Sequence, residues 1–185
     1  MLQQDKFHAK ALYYELATVQ PDVPWKKLFF NNNARPRAKF ITWMACHYKL
    51  PTKERLHRFG LLDNYRCCCC HETETQNHIF FTCKPFFDTW TSVLGWIGSG
   101  HTPQKWDEEV RWILSASKGK GSKADILKCS FTETVYEAWL LRNQYCFGTT
   151  SVTKDIGLKI IDVIIYRCWM KPRLRSHIAR LMMPM

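Results

Sequence analysis

Acidic residues are scarce in this chain. Its 185 residues hold 16 Asp and Glu against 27 Lys and Arg, a formal charge of +11. That excess favours a polyanionic partner, either nucleic acid or an anionic membrane surface. No Asp-Asp pair occurs, so the carboxylates that hold two metals in a polymerase palm are missing. Long hydrophobic runs are missing too. The longest, residues 160–166, carries Asp162 and is far shorter than the roughly 20 apolar residues a membrane helix needs. The first residues lack the basic-then-apolar layout of a secretory signal, which makes a reducing, intracellular compartment the expectation, nuclear or cytoplasmic. Sustained polar/apolar alternation bounded by hairpin turns is nearly absent, and no internal repeat is found. The basic loop at residues 118–123 lacks the order of a phosphate loop, and no nucleophile elbow supports a catalytic triad.

What is present is a large apolar complement. Hydrophobic residues make up 46% and aromatics 14%, with eight Trp, enough to bury a core without help from a metal. Helical signals dominate. They fall over residues 6–17, after Pro24, over residues 35–46 as an amphipathic helix, and over residues 53–59 with Thr52 as N-cap and Gly60 as stop. Thr73-Glu74-Thr75-Gln76 has the form of a capping box and opens a helix carrying His78. Pro85 opens another, stopped by Gly98. Three more are expected over residues 104–116, 122–147 and 151–181. Trp25, Trp43, Trp90 and Trp139 sit in apolar helical patterns and are expected in the core, as are Cys46, Cys129, Cys146 and Cys168. Asp107-Glu108-Glu109 reads as a charge cluster at a helix start.

The cysteines carry the most specific signal. Cys67, Cys70, His78 and Cys83 spell C-x2-C-x7-H-x4-C, two thiolates from a tight turn followed by an imidazole and a third thiolate. Three thiolates and one neutral histidine make a closed tetrahedral site for one structural Zn2+, with no position left for water or substrate. A short ribbon near residues 66–71 is expected to hold the turn. Cys68, Cys69 and His71 remain alternatives for individual ligands.

Residues 25–29, 37–43, 50–56 and 74–83 (Glu-Thr-Gln-Asn-His-Ile-Phe-Phe-Thr-Cys), with residues 135–147 beyond them, resemble the zinc-binding domain of plant non-LTR (LINE-type) retrotransposon reverse transcriptase proteins. The resemblance implies a retrotransposon-derived module and, with no polymerase ahead of Met1, a freestanding copy. Related retroelements carry a nuclease marked by Pro-Asp and acidic-x-Lys. Here the sole Pro-Asp is Pro21-Asp22, and acidic-x-Lys is absent.

The sequence therefore predicts an all-α, multi-helix fold with a small embedded CCHC zinc knuckle and little or no β-structure. Residues 1–100 form the motif-bearing region, and residues 101–185 form a C-terminal helical region packed on it as one unit. The expected function is non-catalytic binding of RNA or single-stranded DNA by Arg35, Arg37, Lys39, Lys49, Lys53, Arg55, Arg58 and Arg66. A second basic run near residues 167–180 reads as a solvated helix face. The competing expectation is a domesticated protein-interaction module with a regulatory or toxic role.

Overall fold

The computed structural model describes residues 23–148 and 156–183. The helix expected over residues 6–17 lies outside them. Pro24–Leu28 is a 3-10 turn that opens on proline, whose missing N–H costs nothing there, and buries Leu28. The helices are α1 (Pro36–Cys46), α2 (Lys53–Arg58), α3 (Lys84–Trp96), α4 (Trp106–Ala116), α5 (Ser122–Phe147), α6 (Ile156–Trp169) and α7 (Pro172–Leu181), with a π-helical turn at His78–Thr82 before α3. Among the described residues there is no strand, and one isolated antiparallel bridge joins Arg66 to Thr73. The fold is all-α.

Local chemistry explains most boundaries. The Thr52 hydroxyl accepts from the Arg55 amide at 3.3 Å to cap α2, and Gly60 takes the left-handed φ of 66° that closes the following turn. The helix expected over residues 151–181 is instead two. Pro172 cannot donate to a continuing helix, and Lys171 before it is extended at φ −107°, ψ 110°. The capping box at Thr73 does not form. Thr75 caps the turn through the His78 amide at 3.1 Å, while the Gln76 side chain donates to the Ala45 carbonyl at 2.8 Å.

The centre of the molecule is α5, buried without interruption from Ala124 to Val135 and packed by α1, α3, α4, α6, α7 and the π turn. A helix enclosed on every side has no solvent stripe, so its charged residues must be met inside the protein. Arg35 donates to Glu133 at 2.8 Å and to Glu137 at 2.7 Å, Lys159 reaches Glu137 at 2.8 Å, and Arg173 pairs with Asp125. One side of α5 supplies Phe131 to an aromatic cluster with Phe81, Trp90 and Trp106, ring centroids 5.7 to 6.0 Å away. Glu109, read from sequence as part of a charge cluster at a helix start, is buried beneath it. It accepts from Trp90 Nε1 at 2.7 Å and the Gln104 amide at 2.8 Å, and lies 2.9 Å from His101 Nε2.

α1 departs most from expectation. Its buried face is Ala38, Thr42 and Ala45, small side chains that let it approach α5 closely, whereas Phe40 and Trp43 are 58% and 42% exposed. Trp43 is therefore not a core residue. Trp90 and Trp139 are buried, and Trp25 is half-buried. Of the cysteines expected inside, Cys129 and Cys168 are fully enclosed, while Cys46 and Cys146 are half-buried.

Candidate metal centre

Two backbone devices converge on one point. The first is a tight turn closed by the Cys67 amide on the Glu72 carbonyl at 2.7 Å and the His71 amide on the Cys67 carbonyl at 3.1 Å. Arg66 and Thr73 bridge its base, and His71 takes the left-handed φ of 64° that reverses the chain. This turn presents Cys67 and Cys70. The second is the π turn, in which the Cys83 amide donates to the His78 carbonyl at 2.8 Å, an i to i+5 bond. That bond explains the x4 spacing: residues five apart drift around an α-helix but stack on a π turn, so His78 and Cys83 face the same way.

The one donor atom each of Cys67, Cys70, His78 and Cys83 offers lies within 4.8 Å of the other three. Cys67 Sγ is 3.9 Å and Cys70 Sγ 3.8 Å from Cys83 Sγ, close to the ~3.8 Å edge of a tetrahedron with Zn–S of about 2.3 Å. His78 contributes Nε2, 3.0 Å from Cys70 Sγ. Electrostatics agree with the geometry. Hydrogen bonds from Cys69 and Cys83 hold the Cys67 sulfur far below the ordinary thiol value, and the contact with that Cys67 sulfur pushes Cys83 far above it. Without a cation, a negative charge on the Cys67 sulfur opposes ionisation of Cys83 beside it. A dication lets all three sulfurs ionise. Three sulfurs and one imidazole nitrogen, two of the sulfurs buried, fit Zn2+ in a closed structural site.

Residues 7–90 match the family described as zinc-binding in reverse transcriptase. All four donors of the zinc-binding segment fall inside the match. No curated protein and no solved structure gives a match to the chain.

The alternative ligands are placed differently. Cys69 groups with Cys67 and Cys68, and its thiol is pushed up to about 11 by its contact with Cys67. Cys68 turns away, toward Cys146 on α5. The zinc-binding segment is locked to α5 by Glu74, fully buried, which accepts from the Lys53 amide at 2.8 Å and pairs with Arg142. Glu74 was invisible as a structural residue in the sequence, where it read as a capping-box position.

The basic residues expected to contact nucleic acid divide into two sets. Arg35 is committed to Glu133 and Glu137, and its guanidinium lies 4.8 Å over the Tyr136 ring, so its charge serves the core. Arg37, Lys49, Arg58 and Arg66 are exposed, and Lys39, Lys53 and Arg55 are half-exposed. Lys53 Nζ bonds the Arg66 carbonyl at 2.9 Å, which draws α2 against the metal-binding turn, and Arg58 pairs with Glu54 at 3.1 Å. Sequence reasoning missed the aromatics beside them. Phe40 stacks toward Trp43 at 6.1 Å, Trp43 meets His47 at 4.6 Å, and Trp25 meets His47 at 4.8 Å, a row along the outer face of α1. Its signal was readable, since positions 37, 40, 43 and 47 share one helical face.

Proposed function

We propose that the chain is a zinc-stapled, non-catalytic module of retrotransposon origin that binds RNA or single-stranded DNA. One observation carries the reading. The exposed aromatic row of α1 lies in a stretch, residues 24–51, with no Asp or Glu and, besides the core-bound Arg35, five Lys or Arg. Aromatic faces accept unpaired bases at about 1–3 kcal/mol per base, and surrounding cations neutralise phosphates without reading sequence. A duplex offers no free base faces to such a row. The zinc site's role is to hold the metal-binding turn, and with it Lys53 and Arg66, in fixed relation to α1. A closed four-ligand site leaves no coordination position for a substrate, which supports the non-catalytic part of the reading.

The test is fluorescence anisotropy of a labelled single-stranded oligonucleotide across a salt titration. Affinity falls steeply with salt, and Trp43→Ala weakens binding by about 5- to 150-fold, the equivalent of one stacked base. Absence of binding, a salt slope near zero, or equal affinity for a duplex would sink the reading. The competing protein-interaction reading draws on exposed Phe30, Phe59 and Leu61. It takes over if salt-insensitive capture of a protein is lost on Phe59→Ser while oligonucleotide binding is absent.

A further inference from the structure

Cys68 and Cys146 are used neither by the metal tetrad nor by the enclosed core. Cys68 leaves the metal-binding turn between two ligands and lands on the last turn of α5, its Sγ 3.3 Å from Cys146 Sγ and 3.9 Å from the Arg142 carbonyl. Both thiols are half-buried, within reach of small solutes, whereas Cys129 and Cys168 are fully enclosed. The 3.3 Å spacing is tighter than the 3.8 and 3.9 Å contacts within the tetrad. It is also shorter than the ~3.8 Å expected between two thiolates on one zinc ion. Closing to a disulfide bond of about 2.05 Å asks for little more than 1 Å of movement.

Glu74 Oε2 lies 3.9 Å from Cys146 Sγ, so a second thiophilic metal is the rival occupant. The Arg142 guanidinium, paired with that same carboxylate, opposes a dication there. The geometry points to a reversible disulfide between Cys68 and Cys146 that clips the metal-binding turn to the end of α5 under oxidising conditions. This inference is independent of nucleic-acid binding.

The chemistry is thiol–disulfide exchange with a small-molecule disulfide, here glutathione disulfide. One protein thiolate attacks a glutathione sulfur, breaks its S–S bond and expels a glutathione thiolate. The other protein thiolate then attacks the protein sulfur of the mixed disulfide and expels the second glutathione. Two protein thiols lose two electrons, one glutathione disulfide gains them, and the two thiol protons end on the released glutathiones. The bond joins positions 78 residues apart, which restricts the unfolded chain and anchors the turn of Cys67 and Cys70 without relying on the metal.

The experiment uses the full zinc-loaded chain equilibrated in glutathione buffers of graded redox ratio, then alkylated, digested without reduction and analysed by mass spectrometry. Burial pushes both thiols up, Cys146 to about 12, so the outcome is read at equilibrium and not as a rate. A peptide bearing Cys68 appears joined to one bearing Cys146, two alkylatable thiols are lost, Tm rises, and dithiothreitol reverses all three changes. Cys68→Ser abolishes the link although Cys67, Cys69 and Cys70 remain in the same peptide. Cys146→Ser stops at a glutathione adduct on Cys68 and shows no rise in Tm. Closure of any other cysteine pair while Cys68 and Cys146 stay alkylatable overturns the inference. So does loss of a second equivalent of zinc on Cys146→Ser, which would assign the pair to a metal.

Discussion

Three sulfurs and a ring nitrogen occupy a space where, without a cation, a thiolate on one sulfur opposes ionisation of the cysteines in contact with it. Cys67 takes that role, and Cys69 and Cys83 rise in response. Geometry separates the candidate ligands: Cys70, His78 and Cys83 share one point with Cys67, while Cys69 belongs to a different grouping on the same turn. We expect one zinc per chain by elemental analysis. Cys83→Ser should lose it, because a hydroxyl is a poor replacement for a thiolate, and Cys69→Ser should keep it. Zinc lost from Cys69→Ser and retained by Cys83→Ser would reassign the ligand set. The four-donor pattern was fully legible as letters and spacing, since a turn and a following helical segment are local structures. The direction of Cys68 was not, because its neighbour Cys146 comes from a helix far along the chain.

Single elements show the limits of periodicity. α1 has apolar residues on both faces, so its pattern gives no clear inside. The deciding factor is α5, whose close approach admits Ala38, Thr42 and Ala45 and leaves the large rings outside. Ala38→Leu should therefore destabilise the protein by about 1–3 kcal/mol in denaturant unfolding, through overpacking against α5. Phe40→Ser, a much larger chemical change, should stay within about 0.5 kcal/mol because the ring is on the surface. The reverse ranking would mean that the outer face of α1 is the packed one. By contrast, α5 itself was readable to its ends: its observed bounds, Ser122–Phe147, match the expected ones. Gly121 before it and Gly148, at φ 66°, after it are punctuation that acts locally.

In the whole molecule, the two halves of the metal site are held with unequal strength. His78 and Cys83 flank Ile79, Phe80 and Phe81, all buried, with Phe81 and Phe131 ring centroids 5.7 Å apart. The Cys67–Cys70 turn buries Cys67 alone and is otherwise held by its own backbone bonds, the Arg66–Thr73 bridge, the Lys53 bond to the Arg66 carbonyl and the contacts of Cys68 with α5. Removing zinc with a chelator should leave the helical circular dichroism nearly intact, since α5 and its aromatic cluster do not depend on the metal. Hydrogen exchange should accelerate across residues 64–73 and change little across residues 79–94. Global unfolding on chelation, or uniform acceleration, would show that the metal supports the core and not the turn alone.

The sequence by itself determined the four candidate donors that the fold brings together, the helical character and most helix ends, because cysteine and histidine spacing, proline and glycine act over a few residues. Tertiary structure alone decided which face of α1 is exposed, that Glu74 and Glu109 are buried partners of distant side chains, that Arg35 serves the core, and that Cys68 meets Cys146. Each of these depends on what lies opposite a side chain once α5 is enclosed. A residue far away in the chain supplies that partner, and no local pattern encodes it.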